Sequence, residues 1–202
     1  METPDNYQTI KNSAETEIKI KASKFIGRVF PSQSVDEAIL ILENIRKKYY
    51  DATHHCYAYR IGLDKEIIFR YSDDGEPSGT AGKPIYDRLE GQNLTNLILI
   101  VTRYYGGTKL GTGGLTHAYS DTAQQVLEEA GILEKFITEQ IPMILQFTDF
   151  SAAERMIVQS GGKIVASDFS DIVKLTVQIR LSLVEKLNNS LIDLTSGRIK
   201  IG

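Results

Sequence analysis

The chain has 202 residues, 42% of them hydrophobic and 24% charged, with a formal net charge of -3. That length exceeds the roughly 100 to 150 residues of a typical domain, so two modest cores are expected, and the composition excludes a disordered or fibrous chain. The negative balance excludes a basic coat for generic nucleic-acid binding and leaves only local contacts to RNA.

Glu17 to Lys21 alternates charged and apolar residues, with Ile18 and Ile20 on one face, and Phe25 to Phe30 follows as a second β-rich run, so a hairpin is expected. Ser34 and Glu37 make a capping-box pattern ahead of Val35, Ala38, Ile39, Leu42 and Ile45 at helical spacing. Cys56 to Ile61 and Glu66 to Tyr71 read as strands joined by a turn at Gly62 and Asp64. Ser72 to Pro84 is too polar for a core. Ile85 to Leu89 suggests a short helix, and Leu97 to Tyr105 a strand buried on both faces. A glycine-rich turn, Gly106 to Gly114, then leads into a helix from Leu115 to Ala130 closed by Gly131.

The rest repeats the pattern on a smaller scale. A strand is expected at Phe136 to Phe147, a helix opened by a capping box of Ser151 with Glu154, and strands at Lys163 to Phe169 and Ile172 to Arg180. Ser182 with Glu185 opens a last helix, and Ile199 to Ile201 forms a final edge strand. The fold class is therefore α+β with two domains, 1–134 and 135–202, the second in the ferredoxin-like order βαββαβ.

No apolar run approaches the roughly 20 residues that span a bilayer, and Met1 to Asn12 lacks the apolar stretch of a secretory signal, so no membrane association and a cytoplasmic location are expected. Cys56 is the single cysteine, which rules out an internal disulfide.

Chemistry concentrates in two segments. Ser72 to Pro84 holds Asp73, Asp74 and Glu76 together with Ser78, Thr80 and Lys83; the carboxylates could hold a hard cation or supply a general base, or they could cap the amides of a solvated turn. The segment is no phosphate-binding loop of the Walker type, because Pro77 stands where the first glycine is needed and Pro84 follows Lys83. Gly106, Gly107, Gly111, Gly113 and Gly114 open a helix without a dinucleotide fingerprint, so no nucleotide cofactor is expected. With Arg103 and Lys109 nearby, those exposed amides suit an anion such as an RNA phosphate; alternatively, the glycines only permit a tight passage from strand to helix. In His54-His55-Cys56 the strand period sends His55 away from its two neighbours, which argues against a metal site or a cysteine nucleophile. Cys56 then reads as a small buried residue and the histidines as polar edge groups. Most of Tyr57, Tyr59, Tyr104 and Tyr105 belong in half-buried sheet, although tyrosines could also stack on bases.

The blocks Ala52 to Ile61, Ser72 to Gly82, and Val101 to Gly107 followed by Lys109 to Leu115 resemble the signature blocks of the IMPACT family, and Lys21 to Gly27 is similar too. The resemblance covers nearly the whole chain. It implies an N-terminal domain similar to a ribosomal-protein fold also found in elongation factor G, and a ferredoxin-like C-terminal domain similar to that factor's last domain. It implies a role in translation as well, since eukaryotic members restrain a stress-responsive initiation-factor kinase by competing for its activator. No catalytic residue is assigned in the family, so none is transferred. This chain departs from the family at His117, where a basic residue is usual, and at His55, where asparagine is common.

The expected function is thus a non-enzymatic, translation-associated regulator. Its partner would be RNA, the ribosome or a translation protein, met through a face of Arg60, Arg70, Arg103, Lys109, His117 and the glycines. The rival is a metal-assisted hydrolase using Asp73, Asp74 and Glu76.

Overall fold

The computed structural model describes residues 5–202; Met1 to Pro4, the start of the polar stretch in which no secretory signal is expected, lie outside the described residues. The elements run β1 (Asn6–Ile10), β2 (Ala14–Ile20), β3 (Ser23–Pro31), α1 (Val35–Lys48), β4 (His54–Ile61), β5 (Ile68–Ser72), α2 (Gly82–Gly91), β6 (Leu97–Tyr104), α3 (Gly111–Ala130), β7 (Ile132–Phe136), β8 (Thr138–Leu145), α4 (Phe147–Gln159), β9 (Lys163–Phe169), β10 (Val173–Arg180), α5 (Val184–Leu194) and β11 (Lys200–Ile201). They divide into two α+β units, one of residues 7–135 and one of 136–202 joined by the first described residues.

In the first unit an antiparallel sheet has the order β2-β3-β6-β4-β5. Its central strand β6 is apolar without interruption from Leu97 to Val101, and the reason is that both faces are covered. Leu97, Leu99 and Val101 join Phe25, Val29 and Cys56 beneath α2 and α3, while Ile98 and Ile100 join Tyr57 and Tyr59 beneath α1. The expected hairpin forms with Ile18 opposite Phe25, and Lys21 takes the positive φ of 54° at its turn. Ser34 caps α1 by accepting the Glu37 amide at 3.1 Å. The Glu37 carboxylate returns to the Gln33 amide at 2.6 Å instead of to Ser34, so the box is one residue wider than its pattern. β1 and β7, which pair as a separate two-stranded sheet, left no readable pattern, because their residues are mostly exposed and mixed in polarity.

In the second unit the order in sequence is βαββαβ and the sheet order is β11-β8-β10-β9, antiparallel at each pairing. Ile141, Met143, Leu145, Val173, Leu175 and Val177 meet Ala153 and Ile157 of α4 and Leu187 and Leu191 of α5. Both capping boxes expected here are corrected. α4 starts at Phe147, four residues before Ser151, and its N-cap Gln146 gives no side-chain bond. Ser182 bonds to the carboxylate of Asp5, and α5 begins after Leu183 without a side-chain cap. A Ser-x-x-Glu pattern specifies a cap only when no stronger partner claims the hydroxyl and the helix has not already begun. Among the described residues no helix is long and apolar enough to cross a membrane.

Candidate functional site

The polar segment after β5 is held from within. Asp73 accepts the amides of Ala81 at 2.9 Å and Gly82 at 2.8 Å on one oxygen and that of Gly79 at 2.9 Å on the other. It thereby caps α2, whose own N-cap residue offers no side-chain acceptor. Asp74 divides its oxygens between Arg46, at 2.5 Å, and the His55 amide, at 2.6 Å. Glu76 is 8% exposed and accepts from Arg103 Nη1 at 2.5 Å and from the Tyr119 hydroxyl at 2.7 Å. The three carboxylates that the hydrolase reading needs are thus drawn to three different partners. Among the described residues no group of three or more potential ligands stands together. Thr80 is buried and donates to the Pro77 carbonyl at 2.7 Å. Ser78 is exposed, and Lys83 pairs with Asp87 one turn along α2.

The strand period separates His55 from its neighbours as expected, but His55 is no edge group. Because β4 is an interior strand, the ring is 7% exposed. It lies 3.2 Å from the Thr102 hydroxyl and 3.1 Å from the Tyr49 carbonyl, and burial holds its pKa below the ordinary histidine value. His54 and Cys56 face the other way, His54 placing Nε2 3.9 Å from Glu76. Cys56 donates to the Asp73 carbonyl at 3.0 Å, and burial raises its thiol pKa, so it stays protonated and inert.

The second segment is open. α3 begins at Gly111, four residues ahead of the expected Leu115, so Gly113 and Gly114 belong to its first turn. No side chain caps that turn and no acidic residue lies in it, which leaves the positive end of a 20-residue helix uncompensated there. Three of the five glycines answer to the backbone: a Cβ on Gly106 would sit 1.8 Å from the Ala22 carbonyl oxygen, and Gly107 and Gly111 have φ of 84° and 75°. Gly113 answers to neither demand, since a Cβ there meets nothing within 4 Å.

Beside this helix end lies a cavity of about 460 Å³. Its polar wall is Glu76, Arg103, Lys109 and the start of α3, and its apolar wall is Pro77, Tyr105 and Leu115. Arg103 is 5% exposed; its Nη2 reaches Ser23 Oγ at 3.3 Å, its guanidinium carbon lies 5.3 Å from the Tyr105 ring, and its Nε has no hydrogen-bond partner. Lys21 approaches from the β2–β3 turn, its ammonium 3.4 Å from the Lys109 carbonyl.

The other expected contributors stand elsewhere. Register pairs Arg103 with His54 but Arg60 with Leu97, at the opposite end of the same two strands, and Arg60 is spent on Asn93 and the Leu94 carbonyl, each at 3.0 Å. Arg70 is exposed on edge strand β5, opposite Tyr59. His117 is exposed on α3 and does not line the cavity. Lys21 and Pro77 both fall in segments that the sequence marks, Lys21 to Gly27 and Ser72 to Gly82, but nothing in the sequence brings the β2–β3 turn up to Gly106, because that approach exists only in the fold.

A family model described as the Impact N-terminal domain matches residues 21–127, and one described as a domain of unknown function (DUF1949) matches residues 143–198. The IMPACT family member YigZ of Escherichia coli is 34% identical over 184 residues, 91% of this chain and 90% of that protein. YvyE of Bacillus subtilis, also named an IMPACT family member, is 32% identical over 196 residues, 97% of this chain and 90% of its own length. A solved structure described as a hypothetical protein is 31% identical, with a TM-score of 0.70 over 98% of this chain and 97% of its own.

Proposed function

The chain belongs to the IMPACT family, and on that premise we propose that it is a non-enzymatic regulator associated with translation, acting in the cytoplasm by binding RNA, the ribosome or a translation factor. The observation that carries this is the uncapped start of α3, flanked by Lys109 and facing a cavity, in a chain whose polar-loop carboxylates are each engaged by internal partners. An end of that kind attracts an anion. The translation role comes from the family resemblance. The domain reading, 1–134 as a fold similar to a ribosomal protein and to elongation factor G and 135–202 as ferredoxin-like, is supported in its second part by the sheet order β11-β8-β10-β9.

The test is co-sedimentation of the tagged chain with ribosomes from lysate, at low and moderate salt and with and without RNase, for the parent and Lys109→Glu. Salt-sensitive sedimentation, lost on RNase treatment and weakened about tenfold by the substitution, is expected; equal sedimentation of the two chains rejects this surface. Arg103→Glu is unsuitable because it would bury a second carboxylate against Glu76.

A further inference from the structure

From the cavity at the start of α3 we infer that this surface recognises a single nucleotide unit, with the phosphate at the helix end and the base against Tyr105. The inference rests on the reading that the open end of α3 is the binding surface, and it adds what occupies it. The volume of about 460 Å³ falls in the range of roughly 300 to 1,000 Å³ typical of ligand pockets, too large for a bare anion and suited to one nucleotide. The polar wall supplies one place for negative charge. The first-turn amides of α3 carry no side-chain cap, and among the described residues Lys109 has no carboxylate within ion-pair distance. Glu76 also lines the cavity, but its charge is met by Arg103 at 2.5 Å and its oxygen by the Tyr119 hydroxyl at 2.7 Å, so it does not oppose a phosphate as a free carboxylate would.

One observation beyond the open helix end points to a ligand. Arg103, 5% exposed, keeps an Nε–H without an acceptor, and a buried donor of a charged group left unpaired calls for an occupant or a water. The remaining wall selects the rest of the molecule. Tyr105 is 45% exposed and backed by the Arg103 guanidinium, and with Pro77 and Leu115 it offers a flat apolar surface of the kind on which any base stacks.

The test is calorimetric titration of the full chain with adenosine 5′-monophosphate, adenosine, inorganic phosphate and a 5′-phosphorylated single-stranded RNA hexamer. The nucleotide is expected to bind at least tenfold more tightly than adenosine or phosphate alone. Lys109→Glu and Tyr105→Ala should each weaken it about tenfold and Tyr105→Phe should restore it, in line with the value of one stacked base. A hexamer tighter than the mononucleotide identifies the unit as part of a strand, and equal affinities identify a free nucleotide; both uphold the site. Phosphate binding as tight as nucleotide binding, or affinity unmoved by both substitutions, overturns it. Ribosome sedimentation that survives in Tyr105→Ala, in a chain that binds no nucleotide, overturns the pocket and leaves the regulator standing. Nucleotide binding without any ribosome association does the reverse.

Discussion

Asp73 satisfies three amides across the loop that precedes α2, so its role is that of a cap supplied from eight residues upstream. Asp73→Ala leaves those amides without an acceptor and should lower stability by about 2 to 4 kcal/mol in urea titration; an unchanged midpoint would mean that the loop is held by other bonds. His55 makes a different kind of prediction. Its folded-state pKa is depressed by burial, so below the unfolded value of about 6.5 the unfolded chain takes up a proton that the folded chain refuses. Its contribution is therefore fully present above that pH and is lost on acidification. His55→Asn should flatten the dependence of Tm on pH between about 5 and 7, and a slope equal to the parent's would assign it to other groups. Both residues were singled out in the sequence as polar and chemically capable. What each one touches is set by other segments, Asp73 by the start of α2 and His55 by β6 and the end of α1.

Elements with strong internal periodicity were legible. α1 shows a buried stripe of Ala38, Leu42 and Ile45 with acids in its first turn and bases in its last, and β6 is an unbroken apolar run. Helix starts were less so. α3 begins inside the glycines and α4 ahead of its serine, because helix initiation depends on whether preceding residues can be drawn into the turn, which local propensity resolves only weakly. The glycines of α3 permit a direct experiment. Gly113→Ala should stabilise the chain by up to about 1 kcal/mol, read as a raised Tm, because alanine is the better helix former and has open space there.

Across the whole molecule the charge of -3 and the small number of cations at the α3 end imply a local rather than an enveloping contact with nucleic acid. The expected salt dependence is accordingly shallow, in keeping with one or two phosphates rather than many. Length, composition, the α+β class and the family blocks were all determined by the sequence itself, because periodicity, turn chemistry and motif spacing are properties of contiguous residues. The site was decided by tertiary structure. Glu76 and Pro77 come from the loop after β5, Arg103 and Tyr105 from the end of β6, and Lys109 to Thr112 and Leu115 from the segment that opens α3, with Lys21 and Ala22 of the β2–β3 turn set against Lys109 and Gly106. The register that sets Phe25 and His54 on either side of Arg103 brings these four segments together and carries Arg60 to the far end. A one-residue slip in pairing would turn every side chain of a strand to the opposite face, and that pairing is fixed only once a face of the sheet is packed against the helices.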